Sequence, residues 1–194
     1  SSADREQAAQ LLQKTLELNP NHVGAMQRAA ERQIDSEDYS GAEETMRQML
    51  TVNPHLPEAH ALQCVIHRLR NNAEGADRSR AEALKFSAIN PKVDHLIGRK
   101  LSQKYRFTEG VAAQRSALEL DPEFNPARVQ LAQDLLRLGQ EAEGWQMAEQ
   151  AHEKDGYDTT LFNLLQLKDS LGRFTTLTSS HFQVRMEKQE AAVY

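Results

Sequence analysis

The chain has 194 residues and a formal net charge of −5, from 23 basic and 28 acidic side chains. The two signs are interspersed, which argues against binding to the phosphate backbone of nucleic acid. A single cysteine excludes an intramolecular disulfide, and no apolar run approaches the ~20 residues that are needed to cross a bilayer. Aromatic residues make up only 6% of the chain, and helix-forming residues dominate, so helix is predicted throughout.

Four of the five Asn-Pro or Asp-Pro pairs mark divisions of the chain. They begin at Asn19, Asn53, Asn90 and Asp121, with the second interval the longest and the third the shortest. Each pair follows an apolar helical stretch, and an average interval of about 34 residues is typical of stacked helix-turn-helix repeats. Proline ends the second helix of each repeat and fixes the turn into the next one. The predicted helices span about 4–18, 23–35, 39–51, 57–70, 74–88, 93–104, 108–119, 125–137, 141–154 and 159–172.

Two parts of this pattern are irregular. Helix 4–18 has the pattern of the second helix of a repeat, and no first helix precedes it. The chain also lacks an initiator Met, so we expect a piece of a longer protein. The repeat that ends at Pro91 contains the polar stretch 71–75, where the longer spacing predicts a lengthened turn or helix.

Small residues fall into register when each repeat is aligned on its proline. Ala or Gly at the tightest crossing lets two helices approach closely, while apolar residues three and four apart form the packing stripe. The positions 8, 20 and 27 are occupied by Ala30, Ala42 and Met49, by Gly98, Gly110 and Ala117, and by Ala132, Gly144 and Ala151.

This spacing resembles that of the tetratricopeptide repeat (TPR) family over residues 3–172. The family's Trp at position 4 is replaced by Met26, Asp94 and Arg128. The resemblance implies an all-α fold, a TPR-like α-solenoid in which about four to five repeats over residues 3–174 form a right-handed superhelix. A short extended tail, residues 175–194, would follow as a possible start of another domain.

The tail changes character after Gly172. Phe182, Val184 and Met186 alternate with polar residues, which predicts a strand. A single strand is not stable alone, so we expect it to pair outside the chain or to stay mobile.

The tail also resembles the junction in bacterial TPR proteins that continue into a gluzincin-type (peptidase MA-like) zinc peptidase domain. The residues that carry this resemblance are Asn163 to Leu165, Phe174, Ser180 to Arg185 and Glu190 to Ala192. The His-Glu-x-x-His motif that such a zinc site needs does not occur in the chain, because His152-Glu153 has no second His after it.

His60, Cys64 and His67 would share one helical face and offer three metal ligands. We favour packing as the role of Cys64, since a buried Cys behaves as a small apolar residue. No phosphate-binding loop or nucleophile motif occurs either. The sequence therefore predicts no catalytic residue, no metal and no cofactor.

The TPR resemblance implies that the first helix of each repeat lines a concave groove through positions 2, 5, 9, 12 and 13. The predicted groove residues are Gln27, Glu31, Arg68, His95, Arg99, Gln103, Gln133, Arg137 and Asn163, with Ile34, Leu69, Ser102, Val129, Leu136 and Leu167 beside them. Arg68, Arg99 and Arg137 would form a ladder for the carboxylates of an extended peptide, or would only solvate a helix face. Chaperone-tail clamps carry Lys and Asn where this chain has Gln27 and Glu31, which argues against that partner.

The predicted function is a non-catalytic scaffold that binds a protein or peptide segment in the groove. The alternative is the N-terminal accessory region of a larger TPR-containing zinc metallopeptidase, with the partner a C-terminal domain of the same polypeptide. Tyr157, Phe162 and Phe174 are predicted to cap the last repeat or to dock a following domain. Neither nucleic-acid binding nor a membrane span is expected.

Overall fold

The computed structural model describes residues 2–191, and the side chains from residue 6 onwards. The described residues form eleven helices and two strands. The elements are α1 (Ser2–Leu18), α2 (Val23–Asp35), α3 (Tyr39–Val52), α4 (Pro57–Leu69), α5 (Ala73–Leu84), α6 (Pro91–Gln103), α7 (Phe107–Leu120), α8 (Asn125–Arg137), α9 (Glu141–Lys154), α10 (Thr159–Leu171), β1 (Phe174–Thr178), β2 (Gln183–Glu187) and α11 (Lys188–Ala191). All ten predicted helices are present, and α5 alone differs at one end by more than two residues.

The repeat has a constant length. Its first helices begin at Val23, Pro57, Pro91, Asn125 and Thr159, which are equally spaced along the chain. The unequal proline intervals arise because Pro91 is the first residue of α6, where its fixed φ suits a helix start. Pro54 and Pro122, in contrast, lie in the turns before their helices.

The prediction of extra residues near 71–75 is therefore wrong. The turn from α4 to α5 has the same length as the equivalent turns, and α5 ends early, at Leu84, so the turn before α6 is the longer one.

The turn inside each helical hairpin has one residue in the left-handed conformation. These residues are Glu37, Asn71, Tyr105 and Gly139, with φ between 57° and 74°. They recur at the same interval as the starts of the first helices, so each hairpin is closed in the same way. Three of the four carry a side chain, although glycine adopts this conformation most readily.

Local hydrogen bonds cap several helices. Asp38 Oδ1 accepts from the Gly41 amide at 2.9 Å and begins α3, and Asn72 does the same for α5. Asp158 Oδ1 accepts from Leu161 N at 3.0 Å at the start of α10. Each cap satisfies an amide that the first helical turn leaves unpaired.

The chain divides between Ala127 and Arg128 into two compact units, called unit 1 and unit 2 below. In unit 1, α2 packs on α3, α4 on α5 and α6 on α7, and α4 also packs on α3 and α6. The predicted small positions are buried here, as expected, including Ala30, Ala42 and Ala117. Cys64 takes position 8 of its repeat and is also buried, which confirms its packing role.

In unit 2, Ala132, Ala148, Ala151 and Leu161 form the core between α8, α9 and α10. Beyond α10, β1 and β2 form an antiparallel hairpin in which Leu177 pairs with Val184. The prediction that the tail strand pairs outside the chain or stays mobile is thus wrong. Its partner is the segment Phe174–Thr178, which lacks clear alternation.

Candidate functional site

The predicted groove residues lie on α2, α4, α6, α8 and α10, the first helices of the hairpins. Those of unit 1 are Gln27, Glu31, Arg68, His95, Arg99 and Gln103, and those of unit 2 are Gln133, Arg137 and Asn163. Their surroundings differ strongly between the two units, so each unit is described by itself.

In unit 1, a set of ion pairs joins α2 to α6 across one intervening repeat. Arg99 Nη2 donates to Glu31 Oε2 at 2.7 Å, and Lys100 Nζ donates to the Glu31 carbonyl at 3.1 Å and to the Asp35 carboxylate. Lys104 Nζ donates to the Asp35 carbonyl at 2.8 Å. We call these five residues the clasp.

The clasp joins α2 and α6, the two first helices that both pack against α4. Ala61 and Val65 of α4, which hold positions 5 and 9 of their repeat, are fully buried. Lys100 is also almost completely buried, and this burial lowers the pKa of its ammonium group although Asp35 acts in the opposite direction. Glu31 and Arg99 are predicted groove residues, and in this arrangement each is the partner of the other.

Gln27 and His95 are likewise bound within the protein. Gln27 Nε2 donates to Glu31 Oε1 at 3.0 Å. His95 Nδ1 lies 2.9 Å from Gln114 Oε1, and burial lowers the pKa of its imidazole. Gln103, by contrast, is exposed at the end of α6.

The three arginines of the predicted ladder all have acidic partners. Arg68 Nη2 donates to Asp77 Oδ1 at 2.7 Å, and Arg137 Nη1 lies 3.4 Å from Asp134 Oδ1. Because Arg99 is bound to Glu31 as well, a ligand carboxylate would have to compete with an internal one at each arginine.

Arg68 lines a cavity of about 320 Å³ in unit 1, between α4, α5, α6 and α7. Beside it, Arg80 holds the buried Asp94 through two hydrogen bonds of 2.6 and 2.7 Å. Burial raises the pKa of the Cys64 thiol, which also faces this cavity, to about 11. Such a thiol stays protonated near neutral pH and is a poor nucleophile and a poor metal ligand.

The histidines near Cys64 make other contacts. His60 Nδ1 lies 3.1 Å from Gln63 Oε1, and Asn72 Nδ2 lies 3.3 Å from His67 Nδ1. Among the side chains that the structure describes, those of residues 6–191, no group of three or more His, Cys, Asp or Glu is arranged to hold a metal ion. The resemblance of the tail to a peptidase junction stays a prediction.

In unit 2, the first helices border an open apolar cavity of about 320 Å³, which we call the Trp145 cavity. Its lining residues are Gln133, Leu136 and Arg137 from α8, Glu141 and Trp145 from α9, and Leu164, Leu167 and Leu171 from α10. The structure thus brings together four residues from the predicted groove, Gln133, Leu136, Arg137 and Leu167. Asn163 is exposed on α10 and is not among the residues that line the cavity.

Sequence reasoning missed the most conspicuous residue of this cavity. Trp145 is the only tryptophan of the chain and directly follows Gly144, a small crossing position. A tryptophan next to a position where two helices cross closely was the feature of the sequence that could have indicated this cavity. At the rim, Arg185 of β2 donates to both oxygens of Glu141, at 3.0 and 2.9 Å, so the hairpin is tied to the edge of the cavity.

The aromatic residues predicted to cap unit 2 are exposed to solvent. Tyr157 is 99% exposed, Phe162 51% and Phe174 39%. Whether they dock a following domain stays a prediction. No helix among the described residues has the length and apolar character required to span a membrane.

Comparison with known proteins agrees with this architecture. Residues 1–64 match the family model described as Tetratricopeptide repeat. No curated protein matches the sequence of the chain. Among solved structures, a thermophilic TPR protein of Thermus thermophilus is similar, with a TM-score of 0.60 and 19% identity over 88% of this chain and 92% of that one. Yeast Tom70 has a TM-score of 0.59 and 16% identity, over 83% of this chain and 36% of its own.

At these identities the two structures establish the fold alone. The chain has an all-α fold of the TPR solenoid class, built from helical hairpins of constant length. The match to the tetratricopeptide repeat family model is limited to residues 1–64, and the two structures add the fold.

Proposed function

We propose that the chain is a non-catalytic scaffold that binds a segment of another protein, and that the segment docks at the Trp145 cavity of unit 2. One observation carries this proposal: residues at groove positions of two successive first helices, α8 and α10, line a single open cavity with Trp145. Recognition of a protein segment is a function of surface shape and needs no chemistry beyond binding.

The cavity has the composition of a binding site. Four leucines and one tryptophan provide an apolar lining, and Gln133, Arg137 and Glu141 supply polar groups at the rim. Sites of this kind bury an apolar anchor and use a few polar groups for orientation. Tryptophan is also enriched among the residues that dominate binding energy.

The ligand that fits is an extended segment with one leucine-sized or aromatic side chain. That side chain would enter the cavity, while the amide of Gln133, which both donates and accepts, would bind the peptide backbone. Because the cavity is formed by packed helices, little ordering cost falls on the protein side.

The experiment is a selection of random displayed peptides on the immobilised chain, followed by titration of the enriched peptides. Trp145 is the only tryptophan, so its emission reports directly on the cavity. We expect enriched peptides to share an apolar anchor, to shift Trp145 emission and to bind at least about tenfold more weakly to Leu167→Glu.

Phe162→Glu is the matched control. Phe162 lies on the same helix and is 51% exposed, against 50% for Leu167, but it is not among the residues that line the cavity. Peptides that bind without changing Trp145 emission, and equally to Leu167→Glu and the parent chain, would refute the proposed site.

A further inference from the structure

Unit 1 contains a cavity of about 320 Å³ between α4, α5, α6 and α7, which we call the Arg68 cavity. The constant repeat allows a comparison with the equivalent place between α2, α3, α4 and α5. Arg68 lines the cavity and stands one full repeat after Ile34. Arg80 also lines it and stands one full repeat after Met46. Ile34 and Met46 are apolar and fully buried. Two guanidinium groups therefore occupy positions that belong to the packed core in the preceding repeat.

The edge of that equivalent place is closed by an ion pair. Arg70, at the end of α4, donates to both carboxylate oxygens of Glu43 on α3. One repeat later, the equivalent residues are Lys104 and Asp77. Lys104 donates to α2 as part of the clasp, and Asp77 accepts from Arg68 at 2.7 Å. The residue equivalent to Arg70 is thus engaged by the clasp, which leaves the Arg68 cavity without this closing pair.

The charged groups of the cavity are costly where they stand. Asp94 is 1% exposed and is held by two hydrogen bonds from Arg80. A buried ion pair is often no more stable than well-packed apolar residues of similar volume. Ile34 and Met46 show that apolar residues fit these positions of the repeat. Departures from the packing pattern are expected at functional sites, so this one favours a binding site.

Donors for a carboxylate remain on both arginines. Arg80 bonds Asp94, and Arg68 bonds Asp77, but a guanidinium carries five N–H donors. The side chain of Asp77 is 69% exposed, and an ion pair with a solvated partner contributes little to stability. A ligand carboxylate can therefore replace Asp77 at Arg68, because water then solvates the released oxygen.

Acceptors for an ammonium group line the same cavity. They belong to Asp77 and to Glu109, which accepts from Arg106 through Oε1 and can accept further bonds through its second oxygen. Two arginines and three acids line the cavity in all. A purely anionic ligand would meet an excess of carboxylates, and a purely cationic ligand would give the arginine donors no acceptor. A ligand that carries both charges satisfies both sets.

The volume and the apolar lining narrow the class of ligand further. Sites for small molecules begin at about 300 Å³, so the cavity suits a compact molecule and not a peptide. Ile97, Leu101 and Ala113 are also lining residues, and they suit an aliphatic side chain.

We propose that the Arg68 cavity binds a small zwitterion with an aliphatic side chain, of the class of the free α-amino acids. Its carboxylate binds Arg68 and Arg80, and its ammonium group binds Asp77 and Glu109. The ligand thus inserts into the ion pair of Arg68 and Asp77 and gives each of them a new partner. This site and this class of ligand are different from those of the Trp145 cavity.

The test is isothermal titration calorimetry of the whole chain with L-leucine. Two matched compounds separate the charges of the ligand, because L-leucinamide lacks the carboxylate and N-acetyl-L-leucine lacks the ammonium group. We expect L-leucine to bind with a Kd below about 1 mM, and both matched compounds to bind at least about tenfold more weakly.

A pair of arginine variants locates the binding. Arg68→Ile introduces the residue that the preceding repeat has at this position, and it should weaken binding of L-leucine at least about tenfold. We expect this variant to stay folded, because its partner Asp77 is solvated. The control is Arg70→Ile, which should leave binding unchanged. The side chain of Arg70 is 45% exposed, against 35% for Arg68, and also pairs with an acid, but Arg70 is not a lining residue.

A second variant fills the cavity without changing its charge. Ala113→Met should also weaken binding of L-leucine at least about tenfold, because the longer side chain takes space from the ligand. Methionine occupies the equivalent position in the next repeat, as Met147, so the repeat accommodates it. Circular dichroism verifies that each variant is folded.

Several outcomes would overturn the proposal. These are no binding of L-leucine up to about 10 mM, equal binding of the three compounds, or unchanged binding of L-leucine by folded Arg68→Ile and Ala113→Met. Tighter binding of L-leucinamide than of L-leucine would assign the cavity to a cation instead. Leu167→Glu should leave binding of L-leucine unchanged, which separates this result from the fate of the Trp145 cavity.

Discussion

Lys100 offers the sharpest test of how unit 1 is held together. Its side chain is 1% exposed, and its ammonium group bonds the Glu31 carbonyl and the Asp35 carboxylate, which belong to a helix two repeats earlier. Two substitutions separate the contribution of the charge from that of the aliphatic chain. Lys100→Met keeps most of the buried bulk and removes the charge, whereas Lys100→Ala removes both.

The expected magnitudes follow from burial. Truncation to Ala removes three buried methylene groups, a loss of roughly 2–3 kcal/mol at about 0.8 kcal/mol each. The lost hydrogen bonds add about 1 kcal/mol, a modest value because Asp35 is 48% exposed and regains water. In both variants, relief from burying a charge offsets part of this hydrogen-bond loss. We expect less than about 1 kcal/mol of destabilisation for Lys100→Met and about 3 kcal/mol for Lys100→Ala.

Urea unfolding followed by far-ultraviolet circular dichroism measures both values, with the denaturant dependence of each variant fitted separately. If the two variants are equally stable within about 0.5 kcal/mol, the buried aliphatic chain contributes little and the reasoning is refuted. A gain of more than about 1 kcal/mol in Lys100→Met would show instead that the buried charge is a net cost.

Two further predictions concern α6. Gly98→Ala should destabilise the chain by about 1–2 kcal/mol in urea unfolding, because the added Cβ would lie 2.4 Å from Gln114 Nε2 and 3.0 Å from the Gly110 carbonyl oxygen. The control is Gly24→Ala on α2, whose added Cβ meets only the His22 ring, at 3.4 Å, and which should be neutral or stabilising. Burial lowers the pKa of His95 in the folded chain below its ordinary value of 6.5. As the pH falls, the unfolded chain therefore takes up this proton before the folded chain does, and the free energy of unfolding should fall as the pH drops through and below 6.5. The fall between about pH 7 and 5 should be smaller in His95→Gln, and an unchanged fall would exclude His95 as a cause.

The sequence predicted the helices well because a helix is specified locally. Apolar residues at helical spacing, and prolines that cannot continue a helix, define each element without reference to distant residues. The small residues Ala30, Gly98 and Ala132 were identified on the same basis, since neighbouring helices cross at fixed positions of the repeat. The error at the second repeat came from alignment on proline, because Pro91 has another role than Pro54.

The hairpin of β1 and β2 shows where local patterns fail. Val184 and Met186 alternate with polar residues and predicted one strand, but the partner segment Phe174–Thr178 has three threonines and little alternation. Pairing of strands depends on cross-strand contacts that a single segment does not encode.

The nine predicted groove residues also show what the sequence predicts and what it does not. Their placement on first helices followed from the repeat, but their partners did not. Glu31 and Lys100 are 69 residues apart in the chain, and they meet because α4 between them has the small residues Ala61 and Val65 on its inner side. Whether an arginine faces a ligand or an internal carboxylate depends on how closely first helices two repeats apart approach.

By itself the sequence determined the helical hairpins, their period and the small residues at their crossings, because these depend on contacts between residues close in the chain. The tertiary structure alone decided that the clasp joins α2 to α6 in unit 1, and that Trp145 and four leucines line an open cavity in unit 2. Both features depend on the distances between helices of different repeats, and these distances are set by the sum of many side-chain contacts and by no local pattern.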